Sequence, residues 1–277
     1  MSCHISVLGA NGFIGKNLVN YLRDQGHQCD APAKGDESIF HNPLGHVIYA
    51  IGLTADFRSR PLDTVEAHVC LLRRLIEEGD FESLTYLSST RVYTGSNTTD
   101  ETAALRVQPS DFGDLYNLSK LMGESLCLHG GRANTKVVRL SNIVGLRSDS
   151  DIFIDQLLDE GYAHGTIELR TALSSTKDYL YIDDAVSLIS AIALSSQSGI
   201  FNVASGEGVE NHQIVRLLED EMGFETRVQE DAPAWDFVPI DITKVREKFG
   251  FEPQRFIDYF PHYLKLTRQK KDSQCNT

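Results

Sequence analysis

HISVLGANGFIG (residues 4–15) is the stretch of sequence that decides the fold. Its first half is a short apolar run typical of a buried strand, and the residues after it have the spacing of an amphipathic helix. Between them, Gly9 permits a tight turn, Gly12 lets a ligand approach the backbone, and Gly15 lets the helix pack on the strand. A strand, a glycine turn and a helix N-terminus in this order predict a cradle for phosphate groups.

The spacing G-x-x-G-x-x-G in the first strand–helix unit predicts a dinucleotide site. The residues expected to line it are Gly9, Asn11, Gly12, Phe13, Ile14 and Gly15. In sites for NAD, an acidic residue near the end of the second strand takes the ribose hydroxyls, but Asp30 comes early for that role. Lys34 is nearer the expected place and would favour a phosphate on the ribose. Both NAD and NADP are therefore candidate cofactors, with NAD slightly favoured.

The segment between the second and third strands is unusually short. From Ala33 to Gly45 there is room for little more than a loop before the apolar run His46–Ala50. Because a complete crossover needs at least about 10–12 residues including its helix, we expect one helix–strand unit to be truncated or missing and the sheet edge to be open. The adenine of a cofactor would lie under this loop, with Asp36 either bonding its exocyclic amine or shaping an Asx turn.

Strand and helix patterns alternate up to Leu140, which predicts a parallel sheet flanked by helices. Ligands in such folds lie beyond the C-terminal ends of the strands. The expected strand ends carry Gly9, Gly52, Ser89 and Ser141. We expect a nucleotide-binding domain over 1–145 with 178–205, a smaller α/β lobe over 146–177 with 206–267, and a disordered polar tail at 268–277.

Tyr116 and Lys120 lie one turn apart on a predicted helix over 115–127. A free phenol, with a pKa of about 10, is a poor base at neutral pH. An ammonium 4–5 Å away would favour the phenolate by about 3–4 kcal/mol, which would let Tyr116 exchange a proton with a hydroxyl or carbonyl. The alternative is an exposed Tyr/Lys pair without a function.

The composition sets limits on the class of protein. The chain has 277 residues, 41% of them hydrophobic and 23% charged, and no apolar run approaches the length of a membrane span. No signal-peptide layout is seen, and the five scattered cysteines suggest neither a disulfide framework nor a zinc site, so we expect a cytoplasmic protein without a metal. The net charge of −13 argues against nucleic acid or an anionic membrane as partner, and an anionic substrate would need a local positive site.

Several motifs resemble those of the extended short-chain dehydrogenase/reductase family, in particular its nucleotide-sugar epimerases, dehydratases and ketoreductases. LSSTRVY (87–93) is similar to the family's SSxxVYG, and YNLSK (116–120) followed by GE is similar to YxxSKxxGE. RLSNIVG (139–145), KDYLYIDD (177–184) and FNVASG (201–206) resemble RxxNVYG, RDFxxVDD and YNVGSG. The resemblance covers nearly the whole chain. It implies a Rossmann-type doubly wound parallel sheet with a small α/β substrate-binding lobe.

The resemblance also implies roles for individual residues. Tyr116 would be the acid/base, Lys120 would lower its pKa and hold the nicotinamide ribose, and Ser89 would bond the reacting oxygen or, alternatively, cap the following turn. Further cofactor contacts would come from Ala50, Ile51, Gly52, His68, Leu87, Ser88, Leu140 and Ser141. Substrate contacts would come from Thr54, Ser89, Thr90, Arg91, Asn142 and Lys177. His68 stands where the family often has Asn, and a structural role is its alternative.

We therefore expect an NAD(P)-dependent nucleotide-sugar epimerase or 4-ketoreductase. A dehydratase is less favoured because Ser89-Thr90-Arg91 lacks the acidic pair of those enzymes. A non-catalytic NAD(P)-binding regulatory or scaffold protein is the alternative from another class. The resemblance further implies a homodimer in which the helices at 62–78 and 115–128, with their broad apolar faces, form a four-helix bundle.

Overall fold

The computed structural model describes residues 2–53, 56–147 and 152–275. The strands in chain order are β1 His4–Leu8, β2 Gln28–Asp30, β3 His46–Tyr49, β4 Ser83–Ser89, β5 Thr135–Leu140, β6 Asn142–Val144, β7 Thr166–Leu169, β8 Thr176–Lys177, β9 Tyr179–Tyr181, β10 Gly199–Val203, β11 Val209–Glu210 and β12 Glu225–Val228. The α-helices are α1 Phe13–Asp24, α2 Pro61–Val65, α3 Leu71–Glu78, α4 Asp114–His129, α5 Phe153–His164, α6 Ile182–Leu194, α7 Asn211–Met222, α8 Thr243–Phe249 and α9 Phe256–Cys275.

The chain forms two compact units. The first comprises Met1–Ser141, Ile182–Ala204 and Asp241–Glu252, and the second comprises Asn142–Tyr181, Ser205–Ile240 and Pro253–Thr277. The division differs from the expected one at 142–145, 178–181 and 205, which belong to the second unit, and at 241–252, which belongs to the first. There Lys244 donates to the carbonyl of Ile200, and the Asn202 amide donates to that of Asp241.

A six-stranded sheet organises the first unit, with the spatial order β10-β5-β4-β3-β1-β2. Every pairing in it is parallel. Helices α1 and α6 pack together, and α4 packs against α3, β4 and β5. The first six residues of β4 are all buried, as expected for a strand with covered faces. The predicted doubly wound α/β class is therefore confirmed.

The shortened connection between β2 and β3 leaves β2 as the edge strand, as predicted. Only a single 3₁₀ turn, Glu37–Phe40, lies between the two strands. Without the extra helix–strand unit, the sheet read from its β2 edge has the order β2-β1-β3-β4-β5-β10, which starts as in flavodoxin-like sheets. Ile39, Phe40 and Leu44 of this connection are buried in the same core as Leu72 of α3. The short segment thus closes the core without adding a strand.

The helix that follows β3 is interrupted. Between α2 and α3 the residues Glu66–Cys70 form a π-helical turn, which carries His68 at its centre. A π turn shifts the side chains of one helical segment relative to the next and is found frequently at functional sites. In the first unit this turn packs against α4.

The second unit has its own core. Helices α5, α7 and α9 contribute buried apolar residues to one cluster, together with β7 and β9. The predicted disordered tail differs from the structure, in which α9 extends to Cys275. Contacts explain the helix: Lys270 donates to the carbonyl of Arg147 (2.7 Å), and Lys271 pairs with Asp159 (3.2 Å).

A search of the described ranges found no helix with the length and hydropathy needed to cross a membrane.

Candidate active site

The glycine turn between β1 and α1 is tightly built. Gly9 has φ +92°, and a Cβ there would lie 2.7 Å from the carbonyl carbon of Ala50. A Cβ on Gly15 would lie 2.2 Å from the carbonyl oxygen of Gly9. Both positions therefore require glycine. No side chain caps the start of α1 and no acidic residue lies in its first turn, so the helix dipole favours an anion there.

The segment after β3 lies between this turn and helix α4. Ala50 abuts Gly9, and a methyl group on Gly52 would lie 3.4 Å from Lys120 Nζ and 3.0 Å from His68 Nε2. The structure thus brings the turn, the segment 50–52 and α4 to one end of the sheet. Thr54 lies outside the described residues.

Tyr116 lies in the first turns of α4 and is only 5% exposed. Its ring packs against Phe57 (5.1 Å between centroids) and meets the His68 ring edge-on at 5.4 Å. Burial raises the pKa of the Tyr116 phenol, while the nearby Ser89 hydroxyl and the charge of Arg91 oppose that rise. The phenol is consequently a proton donor at neutral pH in the cofactor-free chain.

Lys120 lies one turn further along α4 and is also buried. Its Nζ donates to the carbonyl of Leu87 at 2.9 Å and lies 5.9 Å from the centroid of the Tyr116 ring. Burial lowers the pKa of Lys120 to about 7. That Lys120 lowers the pKa of Tyr116 stays a prediction; burial favours the neutral amine of Lys120 over its ammonium form.

Ser89 ends β4. Its hydroxyl accepts from the Arg91 backbone N–H at 3.2 Å, which caps the 3₁₀ turn Thr90–Tyr93. The same hydroxyl lies near enough to the Tyr116 phenol to oppose the rise of that phenol's pKa. A hydroxyl can donate and accept at once, so the capping and site roles are compatible. The neighbouring Thr90 hydroxyl donates to the carbonyl of Leu140 at 3.2 Å.

His68 is fully buried and joins three elements. Its Nε2 accepts from the Leu53 backbone N–H at 3.3 Å, so Nδ1 carries the proton and donates to Ser119 Oγ at 2.8 Å. Ser119 in turn donates to the carbonyl of Tyr116 at 2.8 Å. Burial and the nearby Lys120 lower the pKa of His68 to about 2. His68 is thus a neutral side chain that ties the segment after β3 to the tyrosine helix.

A buried polar network lies below this site. Glu124 of α4 forms a bidentate ion pair with Arg139 of β5, at 2.7 and 3.0 Å, and accepts from Ser88 Oγ at 2.5 Å. Arg139 also donates to Tyr93 Oη, which donates to Asn202 of β10. The hydroxyl of Ser88, which was predicted to contact the cofactor, therefore links β4 to α4 through Glu124.

The predicted adenine end is exposed. The Asp36 carboxylate accepts from the Ser38 backbone N–H at 2.9 Å and caps the 3₁₀ turn, so the Asx-type alternative is what the structure shows. This bond lowers the pKa of Asp36. Lys34 is exposed, next to Gly35 with φ +81°.

Ser141 directly follows β5. Its hydroxyl is buried and has no hydrogen-bond partner among the described residues.

The remaining predicted substrate residues belong to the second unit. The Asn142 amide donates to the carbonyl of Asp178 at 2.8 Å, within the β6–β9 pair. Lys177 lies on β8 with Nζ 4.7 Å from the Phe153 ring centroid. The Asp178 carboxylate accepts from the backbone of Ser205 and Gly206.

Some residues of the site were not predicted from the sequence. Phe57 packs on Tyr116, Ser119 joins His68 to the backbone of α4, and Glu124 anchors that helix. The sequence does hold a signal for Glu124, which stands four residues after Lys120, and for Arg139, a charged residue in an otherwise apolar strand. It holds none for Phe57.

The chain matches one protein family over residues 5–204, described as the NAD dependent epimerase/dehydratase family. A sequence search of the curated proteins found no match. Among solved structures, the chain is similar to MoeE5 in complex with UDP-glucose and NAD, with a TM-score of 0.82 and 18% identity over 96% of this chain and 99% of that one.

Two further structures extend the comparison. UDP-N-acetylglucosamine 4-epimerase from Methanobrevibacter ruminantium M1, in complex with UDP-N-acetylmuramic acid, gives a TM-score of 0.77 at 16% identity, covering 99% of both chains. dTDP-glucose 4,6-dehydratase from Bacillus anthracis, in complex with NAD, gives 0.78 at 16% identity, covering 98% of both chains. At such low identities the likeness to these structures shows a shared fold and nothing more. Since the family match spans most of the sequence, the chain belongs to the NAD dependent epimerase/dehydratase family.

Proposed function

We propose that the chain is an NAD(P)-dependent nucleotide-sugar epimerase or 4-ketoreductase with Tyr116 as its acid/base. The observation that carries the proposal is the buried Tyr116 phenol, beside Ser89 and one helical turn from Lys120, at the end of the sheet where the glycine turn lies. Solved structures of the same fold hold UDP-glucose with NAD, or NADPH, which supports the substrate class and the cofactor.

The residues present fit such a cofactor. At Gly9 and Gly15 a Cβ would clash with the backbone of the turn, so glycine at both positions preserves the turn, and the start of α1 carries no competing carboxylate. Gly9, Asn11, Gly12, Phe13, Ile14 and Gly15 would hold the pyrophosphate. Lys120, Gly52 and Ser141, whose buried hydroxyl lacks a partner among the described residues, would hold the nicotinamide end. When bound, the cofactor supplies a carrier for hydride.

The chain's own residues supply proton chemistry and orientation. Tyr116 holds a proton on Oη that it can give to a carbonyl oxygen, as reduction of a ketosugar requires. Ser89 donates a hydrogen bond that stabilises the phenolate left behind, and Arg91 adds positive charge nearby. Lys120, with its pKa near 7, can exchange the proton onward at neutral pH. Burial of both side chains excludes water from this exchange.

The choice between epimerase and ketoreductase depends on whether the ketosugar can turn over before it is reduced again. A dehydratase remains less favoured, because Thr90 and Arg91 follow Ser89 where elimination would need an acid pair. A binding protein without turnover is disfavoured by the retention of Ser89, Tyr116 and Lys120 together, with Tyr116 and Lys120 buried.

We also propose a homodimer. Leu72 and Leu75 of α3 are fully buried within the chain, so they do not contribute to an interface. Leu62, Met122 and Leu128 are 84%, 53% and 38% exposed, and these apolar side chains on the two helical segments would pair across a two-fold axis. Sedimentation at micromolar concentration should give the dimer, and a monomer would refute it.

The function is tested in two steps. The ultraviolet spectrum of the supernatant after denaturing the purified protein should show released nicotinamide cofactor. A thermal-shift screen of UDP-, dTDP- and GDP-linked sugars should then raise the unfolding temperature for at least one, since a ligand that binds the native state stabilises it. A chain that binds neither NAD(P) nor any of these sugars would overturn the proposal.

A further inference from the structure

The position of Arg91 gives the candidate site a second cation. Arg91 lies in the 3₁₀ turn that follows Ser89, and its side chain is partly buried. The guanidinium carbon is 5.9 Å from the ring centroid of Tyr116 and 5.4 Å from that of Phe57. The charge therefore lies beside the proposed acid/base, on a turn whose start is fixed by the Ser89 hydroxyl.

This guanidinium lacks an anionic partner. Its Nε is buried and has no hydrogen-bond partner among the described residues, and no described carboxylate forms an ion pair with it. Asp111 and Asp114 act on it only from a distance, while burial and the charge of Arg58 lower its pKa. A partly buried charge without a partner is costly, so a site of this kind gains free energy when a ligand anion enters it.

A second arginine adds to the same region. The Arg58 guanidinium carbon lies 4.5 Å from the Phe57 ring centroid, so both guanidinium groups contact one buried aromatic ring. Arg58 itself is exposed. Because the whole chain carries a net charge of −13, an anionic ligand is attracted by such a local pair of cations and not by the overall field.

We propose that Arg91 binds a carboxylate on the sugar of the substrate, so that the chain acts on an acidic nucleotide sugar of the uronic acid class. The inference rests on the proposed function. A guanidinium presents paired N–H donors that match the two oxygens of a carboxylate. The other anion of such a substrate is its diphosphate. Arg91 is two residues from Ser89 and beside Tyr116, and these two side chains serve the reacting carbon, so Arg91 lies at the sugar end.

The test compares UDP, UDP-glucose and UDP-glucuronic acid by calorimetric titration into the NAD-loaded protein. Wild type should bind UDP-glucuronic acid more tightly than UDP-glucose. Arg91→Gln should weaken UDP-glucuronic acid by about tenfold or more, the loss of a charge-assisted bond, while UDP and UDP-glucose change by less than about threefold. Arg73→Gln, on the exposed face of α3 where Arg73 pairs with Glu77, is the matched control and should change none of them.

Each contrary result has a separate meaning. Equal binding of the two sugars by wild type would overturn this inference and leave the proposed function intact. Equal weakening of all three ligands in Arg91→Gln would assign Arg91 to the diphosphate and overturn it as well. If none of the ligands binds to wild type, the uridine form of the proposed function fails together with the inference.

A second variant protects the test against misfolding. Arg91→Lys keeps the charge but loses the planar fork. If Arg91→Gln does not fold, Arg91→Lys should still lower the ratio of UDP-glucuronic acid to UDP-glucose affinity. An unchanged ratio in a folded Arg91→Lys protein would contradict the bidentate carboxylate site.

Discussion

Two regions of the candidate site, one around β4 and α4 and the other at the edge strand β2, are built in opposite ways. Around β4 and α4, several buried polar groups are bonded to one another, as in the pair Glu124–Arg139 and the hydrogen bonds that link Leu53, His68 and Ser119. After the edge strand β2, the connection to β3 is short and begins with exposed residues such as Lys34, and the Asp36 carboxylate accepts from Ser38 of its own turn.

The difference shows which part of the site needs fixed geometry. The proposed proton transfer requires heavy atoms within hydrogen-bond distance, and the helix that carries Tyr116 is held by several independent contacts. The proposed adenine contact would tolerate a looser surface, and there Phe40 and Leu44 close the core in place of a further helix–strand unit. Substitutions in the first region should therefore have large effects, and those in the second region small ones.

The largest effect is expected for Tyr116→Phe. It removes the phenolic proton but keeps the ring that packs on Phe57 and His68. Turnover should fall by about 10²–10⁴-fold, the usual contribution of a positioned acid or base, while cofactor affinity stays nearly the same. Steady-state kinetics together with cofactor titration measure both quantities. A variant that retains more than a few per cent of the wild-type kcat would show that Tyr116 is not the acid/base.

Glu124→Gln, in helix α4, should lower the free energy of unfolding strongly. It leaves the buried guanidinium of Arg139 without its carboxylate, which costs about 3–5 kcal/mol in comparable pairs. The free energy of unfolding from denaturant titration gives the value. Glu78→Gln is the control, since its pair with Arg74 is on the surface. Similar small losses in both variants would mean that the buried pair does not anchor α4.

His68→Gln should change the acid stability. The pKa of His68 is about 2 in the folded chain against 6.5 for a free histidine, so below pH 6.5 the unfolded chain takes up a proton that the folded chain refuses. The contribution of neutral His68 to the free energy of unfolding is fully present above pH 6.5 and is lost as pH falls, by about 2 kcal/mol at pH 5. The variant should lack this part of the loss when unfolding is measured between pH 7 and 5. Parallel pH profiles for the two proteins would contradict a buried neutral His68.

The smallest effect is expected at the open edge. Asp36→Ala should lower the unfolding midpoint slightly, because it removes the cap of the 3₁₀ turn, and Asp36→Asn should restore it. If Asp36 also contacts adenine, calorimetry should show weaker cofactor binding in the alanine variant. Lys34→Ala should weaken NADP more than NAD. Unchanged affinities in both would place the adenine elsewhere.

The sequence predicted the fold well because its signals are local. The glycine turn, the alternation of strand and helix, and the short 33–45 segment were all read from neighbouring residues, and the structure agrees with each of them. The end of α9 was missed since contacts from Lys270 and Lys271 to distant residues stabilise a polar helix. Local patterns cannot report such contacts.

The site was predicted less completely for the same reason. Tyr116 and Lys120 are linked by helical spacing, but their pKa values depend on burial, which raises one and lowers the other. Phe57 reaches Tyr116 from a distant part of the chain, and His68 gains its neutral state from the core around it. Three-dimensional packing decides these properties.

The most direct test of the central claim uses a nucleotide sugar that the protein is known to bind. The sugar is added to the NAD-loaded protein, and the absorbance of the nicotinamide is followed. The account predicts that wild type shows reduced nicotinamide during turnover, and that Tyr116→Phe binds the same sugar and cofactor but shows almost none. Reduced nicotinamide formed at the same rate in both proteins, or in neither while the sugar and cofactor are bound, would contradict it.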